Sequence, residues 1–108
     1  MKKLESLVLV IALCLTLNSY AEPKATPEET CKGLSELAEN IMTMRLQQVP
    51  MSKQIAIFDG DDAVAKLGKK LVIKAYEEPD WRTERKQQNA IKSFRDTTYL
   101  DCYKSLSK

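Results

Sequence analysis

The residues of this chain that could do chemistry are few, and two cysteines come first among them. Cys31 and Cys102 do not form a C-x-x-C pair, so redox catalysis has little support. The chain has no histidine, and two thiolates alone are too few for a zinc site. We therefore predict a structural disulfide between Cys31 and Cys102, formed in an oxidising compartment.

Carboxylates occur in pairs, but their positions do not favour acid–base catalysis. The pairs are Glu28/Glu29, Glu36/Glu39, Asp61/Asp62 and Glu77/Glu78. General acid–base chemistry needs two carboxyls whose environments separate their pKa values, whereas these lie at predicted helix starts or on solvated faces. No histidine is available to activate a hydroxyl, and Ser52 beside Lys53 carries no further motif of a Ser–Lys pair. We predict that the protein is not an enzyme.

Two short motifs resemble ligand loops but are incomplete. A calcium loop that begins at Asp59 would place Lys70 at its twelfth position, where an EF-hand has glutamate. The segment 68–70, Gly-Lys-Lys, lacks the upstream glycine and the following Ser or Thr of a phosphate loop. We predict no metal site and no cofactor.

Charge is distributed unevenly along the chain. Residues 22–62 carry four basic and eight acidic groups, whereas residues 63–95 carry nine basic and four acidic groups. Lys66, Lys70 and Lys74 lie four apart and share one face of a predicted helix. Such a stripe suits an anionic partner in the cell envelope, but an ordinary solvated helix face has the same pattern. No aromatic residues are interleaved with these lysines, so we expect no nucleic-acid binding.

The connection between the last two predicted helices holds the second candidate binding feature. Trp81, the single tryptophan, stands there between Asp80 and Arg82. A tryptophan in a loop either covers the core or is offered to a partner, and Tyr76 poses the same alternative. The candidate binding residues are therefore Lys66, Lys70, Lys74, Tyr76, Trp81 and Arg82.

The elements that position these residues are predicted to follow an export signal. After a methionine and two lysines, the chain has an apolar run over residues 7–17 and small residues before a cleavage point at Ala21. This pattern indicates a secretory signal peptide over residues 1–21, and the run is too short to span a bilayer. Cys14 raises the alternative of a lipoprotein, but Leu13 occupies the position where a lipobox has a small residue. We expect a periplasmic protein without a transmembrane anchor after cleavage.

Residues 22–108 carry the periodicity of helices within a single domain. Thr26 can cap a first helix that Pro27 begins, and Pro50 should end this helix near Gln48. Its buried face is predicted from apolar residues three and four apart, namely Cys31, Leu34, Leu37, Ala38, Ile41, Met42 and Leu46.

A short second helix is predicted, with Ser52 as its cap and the apolar stretch Ile55–Phe58 as a buried plug. A strand is the alternative for this stretch, but no second strand exists to pair with it. The turn 59–62 then starts a third helix, which ends before Pro79 and contains Gly68, a sign of close helix–helix approach. The predicted inner face of this helix consists of Val64, Leu67, Leu71, Val72, Ala75 and Tyr76.

Thr83 can cap a last helix that runs towards Leu106. Its inner face is predicted from Ile91, Phe94, Thr98 and Cys102. Pairing Cys31 with Cys102 makes the first and last helices antiparallel neighbours unless they cross steeply. The predicted fold class is therefore all-α, a small domain of three to four helices with the first and last helices joined by a disulfide.

Several blocks of the sequence, taken in order, carry a family resemblance. The blocks are Cys31-x-x-Leu34-x-x-Leu37-Ala38, Ile41-Met42-x-x-Arg45, Val49-Pro50-Met51-Ser52, Ala75-Tyr76-Glu77-x-Pro79, Thr83-Glu84, Ala90-Ile91-x-x-Phe94-Arg95 and Cys102-Tyr103. Together they resemble small exported proteins of unknown function from gammaproteobacteria and their phages or prophages. The chain departs from them at residues 47–49, Gln-Gln-Val, where Gln-x-Gly is usual. The resemblance implies a secreted, disulfide-linked helical protein and assigns no activity.

We expect the protein to act by binding, with a periplasmic or outer-membrane protein or an anionic envelope component as its partner. Superinfection exclusion and inhibition of an envelope enzyme both fit a phage-derived protein of this kind. The alternative is a small periplasmic chaperone or stress protein, although no histidine is available to sense pH 5–6.

Overall fold

The computed structural model describes residues 25–107, which form four α-helices and no strand. The helices are α1 (Pro27–Leu46), α2 (Met51–Ile57), α3 (Ala63–Glu77) and α4 (Glu84–Leu106). The predicted all-α class is confirmed, and the helical alternative is the correct one for the short second element. The predicted signal peptide and the alternative at Cys14 lie outside the described residues.

Side-chain caps begin three of the four helices: the caps at Thr26 and Thr83 are the predicted ones, and Asp62 caps the helix that was predicted to start after the turn 59–62. Thr26, Asp62 and Thr83 each accept a hydrogen bond from the backbone N–H three residues further on, at 3.2, 2.7 and 3.3 Å. Each bond satisfies one of the N–H groups that a helix start leaves without a partner. The four helix positions follow from these caps and from the two prolines that end α1 and α3.

The second helix differs from its prediction in two respects. It begins at Met51 without a side-chain cap, so Ser52 lies inside the helix and not at its N-cap. The apolar stretch is also not a buried plug, because Ile57 is 62% exposed and only Ile55 and Phe58 are half-buried. A helix of two turns presents one face to the core, and here the fully buried side chain on that face is Gln54.

The apolar core lies where α3 and α4 pack against α1. Its buried members are Ala38, Ile41, Met42, Leu46, Leu71, Val72, Ala75 and Phe94. The prediction for the first half of α3 is wrong, since Val64 and Leu67 are 71% and 41% exposed. Ala65 and Gly68, in the same turns of α3, are buried, so Val64 and Leu67 lie on a different face of the helix, where they line an open cleft.

The disulfide joins the first and last helices as predicted. Cys31 is fully buried, and the Cα atoms of Cys31 and Cys102 are 5.6 Å apart. The contact between α1 and α4 is the most extensive one between helices, and it runs antiparallel from this bond towards the other end of α1. The disulfide thus holds together one end of the α1–α4 contact, the most extensive contact between helices.

Gly68 allows a close approach, but the neighbour is a side chain and not a second helix backbone. A Cβ atom at this position would overlap the ring of Phe58, including its Cγ atom. The ring belongs to the residue that directly follows α2, and it packs against the core beside Gly68 of α3. The predicted close approach at Gly68 is confirmed, but the group that approaches is the Phe58 side chain and not another helix.

Candidate functional site

A cleft of about 1280 Å³ lies between α3 and α4, with α1 as its floor. It exists because α3 and α4 each pack on α1 but scarcely touch each other. The residues that line it come from all three helices and from the connection after α3.

The floor of the cleft is apolar. Leu34 and Leu37 of α1 are half-buried there, between Leu71 of α3 and Phe94 of α4. Gly33 lies beside them, so the backbone of α1 is accessible from the cleft. The floor therefore offers a continuous apolar surface rather than isolated exposed side chains.

The two walls differ in charge. On α3 the wall carries Lys70 and Lys74, both exposed. On α4 the wall is a row of polar residues four apart, namely Asn89, Ser93, Thr97, Asp101 and Ser105. Residues four apart lie on one helix face, so this row forms one continuous rim. The α3 wall therefore carries two lysines and one glutamate, Glu77, whereas the α4 wall carries Lys86, Asp101 and a row of neutral hydroxyl and amide groups.

Trp81 closes one end of the cleft and is held firmly. Its side chain is half-buried against the core, and the ammonium group of Lys86 lies 5.2 Å from the ring centroid. Its backbone oxygen accepts a hydrogen bond of 2.8 Å from the Gln87 side chain. Trp81 therefore covers the core and also lines the cleft, while its contact with a partner stays a prediction.

The loop around Trp81 is fixed through Asp80. Its carboxylate accepts a hydrogen bond of 3.0 Å from the Gln48 side chain and pairs with Arg82 at 3.0 Å and with Arg45 at 3.8 Å. A second guanidinium nitrogen of Arg45 donates to the backbone oxygen of Glu78 at 3.4 Å. The C-terminal ends of α1 and α3 are thereby joined by polar contacts.

Tyr76 belongs to a polar network on the side of α3 that faces α2. Its hydroxyl donates to the backbone oxygen of Val49 and accepts a 2.9 Å hydrogen bond from the Gln54 side chain. The same Gln54 nitrogen donates to the backbone oxygen of Ile41 at 3.1 Å. The guanidinium carbon of Arg45 lies 5.1 Å from the Tyr76 ring centroid.

The structure brings three of the six predicted binding residues together. Lys70, Lys74 and Trp81 line the cleft. The others lie elsewhere: Lys66 is exposed outside the lining, Tyr76 is in the internal network, and Arg82 is exposed beside Asp80. Sequence reasoning missed the polar row on α4, although its spacing of four beside the apolar row of Phe94, Thr98 and Cys102 was a readable signal.

The remaining chemistry of the described residues is sparse. No group of three or more possible metal ligands occurs among residues 25–107. None of the four helices has the length and apolarity needed to cross a membrane. The pKa of Arg95 is raised, first by its hydrogen bond to Asp96, but this pair is exposed and lies outside the cleft.

Within residues 25–107, the fold and the cleft define a small all-α domain with a disulfide between its first and last helices and an apolar cleft bordered by charges of both signs. Comparison of the chain with family models, with curated proteins and with solved structures finds no match. The resemblance to small exported proteins of phages and gammaproteobacteria stays a prediction.

Proposed function

We propose that the protein acts by binding a component of the cell envelope, and that the cleft between α3 and α4 is the binding site. The single observation that carries this proposal is the apolar floor that residues 25–107 leave open between two helices. Small folded domains rarely leave such a surface uncovered unless something binds there. The exposed side chains of Lys70 and Lys74 add local attraction for an anionic group of the partner, beside the acidic lining residues Glu29, Glu77, Glu78 and Asp101.

Export to the periplasm is part of the same proposal. The disulfide supports it, since structural disulfides persist in oxidising compartments. A phage or prophage origin, with superinfection exclusion or inhibition of an envelope enzyme as the role, rests on the sequence resemblance alone. Binding without turnover is part of the proposal, and the lack of histidine in the sequence supports it.

The test is capture of an envelope component by wild-type protein and by cleft variants. Lys70→Ala with Lys74→Ala, and separately Trp81→Ala, should abolish capture while the helical circular-dichroism signal is retained. The matched control is Lys92→Ala with Lys104→Ala, which removes two exposed lysines of α4 that do not line the cleft. Unchanged capture by both cleft variants would remove the cleft as the binding site.

A chaperone or stress role is the second candidate, favoured by the same exposed apolar floor. A chaperone binds many unfolded clients, whereas a dedicated binding protein takes one partner. Dye binding and client protection measured between about pH 2 and pH 7, the range in which carboxylates titrate, separate the two roles. Protection of unrelated clients across this range would favour the chaperone.

A further inference from the structure

We propose that Cys102 is the reactive cysteine of the disulfide. An external thiolate, from a small thiol such as glutathione, attacks the Cys102 sulfur, remains bound to it as a mixed disulfide and releases Cys31. Cys102 is thereby a site of S-thiolation, a covalent modification that lies outside the proposed binding function.

The two cysteines of the disulfide are not equally open to reagents. Cys31 is 0% exposed, so none of its atoms contacts solvent, and this includes Sγ. Cys102 is half-buried and lines the cleft. Thiol–disulfide exchange needs contact between the attacking sulfur and one sulfur of the bond, so its rate at each cysteine depends on access. In the folded protein, Cys102 is therefore the cysteine that a thiolate can reach.

The burial of the cysteines differs because α4 extends past the part of it that α1 covers. Ser35, one turn after Cys31, is buried, and so is Thr98, one turn before Cys102. Beyond Cys102, residues 103–107 are all exposed. Cys102 thus lies where the buried part of α4 ends. A reagent can approach it from this end without separating α1 from α4, whereas an approach to Cys31 requires that separation.

The exchange step balances without a further reactant. The thiolate forms a bond to Sγ of Cys102, the bond between the two cysteines breaks, and its electron pair leaves with Sγ of Cys31. The Cys31 thiolate then takes a proton from water. The reverse step closes the disulfide again, because the Cys31 thiolate attacks Sγ of Cys102 and expels the external thiolate.

Carboxylates border the cleft beside the two cysteines. Among charged residues within four positions of either cysteine, those that line the cleft are Glu29 and Asp101, whereas Lys32 and Lys104 do not line it. The lysines that do line the cleft belong to α3 and to the first turn of α4. An anionic reagent that approaches Cys102 therefore meets like charge, which slows the attack.

The test identifies the attacked sulfur in the folded wild-type protein, with sodium sulfite as the probe. Sulfite opens a disulfide by the same displacement, so it marks the attacked cysteine as an S-sulfonate and releases the other as a thiol. The sulfonate cannot pass between the cysteines, because a thiolate that attacks it expels sulfite. After removal of sulfite at low pH, the released thiol is alkylated with iodoacetamide and the protein is digested with trypsin.

Mass spectrometry then locates the two labels. Trypsin cuts after Lys32 and Lys104, so Cys31 and Cys102 fall in separate peptides, and Cys14 falls in a third. We expect the sulfonate on Cys102 with the alkyl group on Cys31 at least tenfold more often than the reverse. Glutathione in place of sulfite should leave its adduct on Cys102 at short reaction times.

The same reaction in concentrated guanidinium chloride is the matched control for burial. Both cysteines are accessible in the unfolded chain, and loss of the helical circular-dichroism signal shows that unfolding is complete. The preference for Cys102 should then disappear, because the difference in access that causes it exists only in the folded protein.

Removal of the carboxylate beside Cys102 should speed the opening of the disulfide. Asp101→Asn takes a negative charge from the path of sulfite, so we expect a rate about twofold higher at low ionic strength, and no increase in concentrated salt. The matched control is Asp96→Asn, which removes an exposed carboxylate of α4 that pairs with Arg95 and does not line the cleft. This variant should react at the wild-type rate.

Three results would overturn the inference. The first is a sulfonate in the folded protein that favours Cys31 or neither cysteine. The second is no sulfonate in the folded protein during a time in which the unfolded protein reacts completely, since opening would then require unfolding. The third is Asp101→Asn reacting no faster than Asp96→Asn. Each would leave the proposed binding function standing, because capture is measured with the disulfide intact.

Discussion

The two sides of α3 differ in how completely the neighbouring helices cover them. On one side α2 covers it so closely that the Phe58 ring fills the space above Gly68, and the Gln54 side chain is fully buried with its amide nitrogen bonded. On the other side α4 stands away, and Val64 and Leu67 remain exposed. The segment of α2 and Phe58 therefore covers one side of α3, whereas apolar side chains on the other side of α3 are exposed.

This contrast separates residues that hold the fold from residues that are free to bind. Tyr76 and Trp81 are five positions apart and both aromatic. The Tyr76 hydroxyl is hydrogen-bonded on the side of α3 that faces α2, whereas Trp81 borders the cleft. A substitution on the α2 side should cost stability, and one on the cleft side should cost binding. The predictions below test that division, beginning with the bond on which both sides depend.

Loss of the disulfide should have the largest effect. Cys31→Ser removes the tie between α1 and α4, and on the chain-entropy model a loop of this length contributes about 4 kcal/mol. Because both α3 and α4 pack on α1, we expect the melting temperature to fall steeply and the cleft to lose its floor. Equal melting temperatures of the wild type with and without reductant would contradict this.

Crowding the α2 side should have the next largest effect. Gly68→Ala places a Cβ in the Phe58 ring, and since the overlap includes Cγ, rotating the ring does not relieve it. Overpacking of this kind costs about 1–3 kcal/mol, against which the better helix propensity of alanine restores up to about 1 kcal/mol. Urea unfolding should show a net loss of stability, and Gly33→Ala, where a Cβ meets nothing, is the matched control.

Removing one hydroxyl from the network should cost less. Tyr76→Phe leaves the Val49 carbonyl without this donor and the Gln54 amide with one acceptor fewer. A lost partner for a buried polar group costs about 1–3 kcal/mol, and the partial exposure of Tyr76 places the value at the low end. Capture of the envelope component should be unchanged, and a tenfold loss of that capture would show that the two sides are not separate.

The smallest effect on stability is expected in the cleft itself. Val64→Lys replaces a side chain that is already mostly exposed, so the free energy of unfolding should change by no more than about 0.5 kcal/mol. Capture of the partner should nevertheless fall, because an apolar surface of the partner would meet an ammonium group at this position in the cleft. A large loss of stability with normal capture would reverse the assignment of this side.

The helices were predictable because their signals are local. Thr26 and Thr83 indicate two helix starts by their capping side chains, and the turn that ends at Asp62 indicates a third. Pro50 and Pro79 indicate two helix ends. The pairing of α1 with α4 was predictable because Cys31 and Cys102 are the two cysteines outside the predicted signal peptide, which leaves one possible disulfide. These inferences need no knowledge of how the helices pack together.

The cleft was not predictable because its existence depends on where α4 stands relative to α3. Leu67 and Leu71 have the same residue type on one helix, yet they are 41% and 5% exposed. Hydrophobic periodicity identifies a face but not the length of helix that another element covers. The burial of Gln54 was missed for a related reason, since its partners lie 13 and 22 positions away in the sequence.

The disulfide also borders the cleft, because Cys102 is one of its lining residues. A partner lying over this end of the cleft would stand between the sulfur atoms and any attacking thiolate, and exchange requires direct approach to a sulfur. Occupied protein should thus resist small reducing agents longer than free protein. The covalent tie that shapes the cleft would in turn be shielded by whatever fills it.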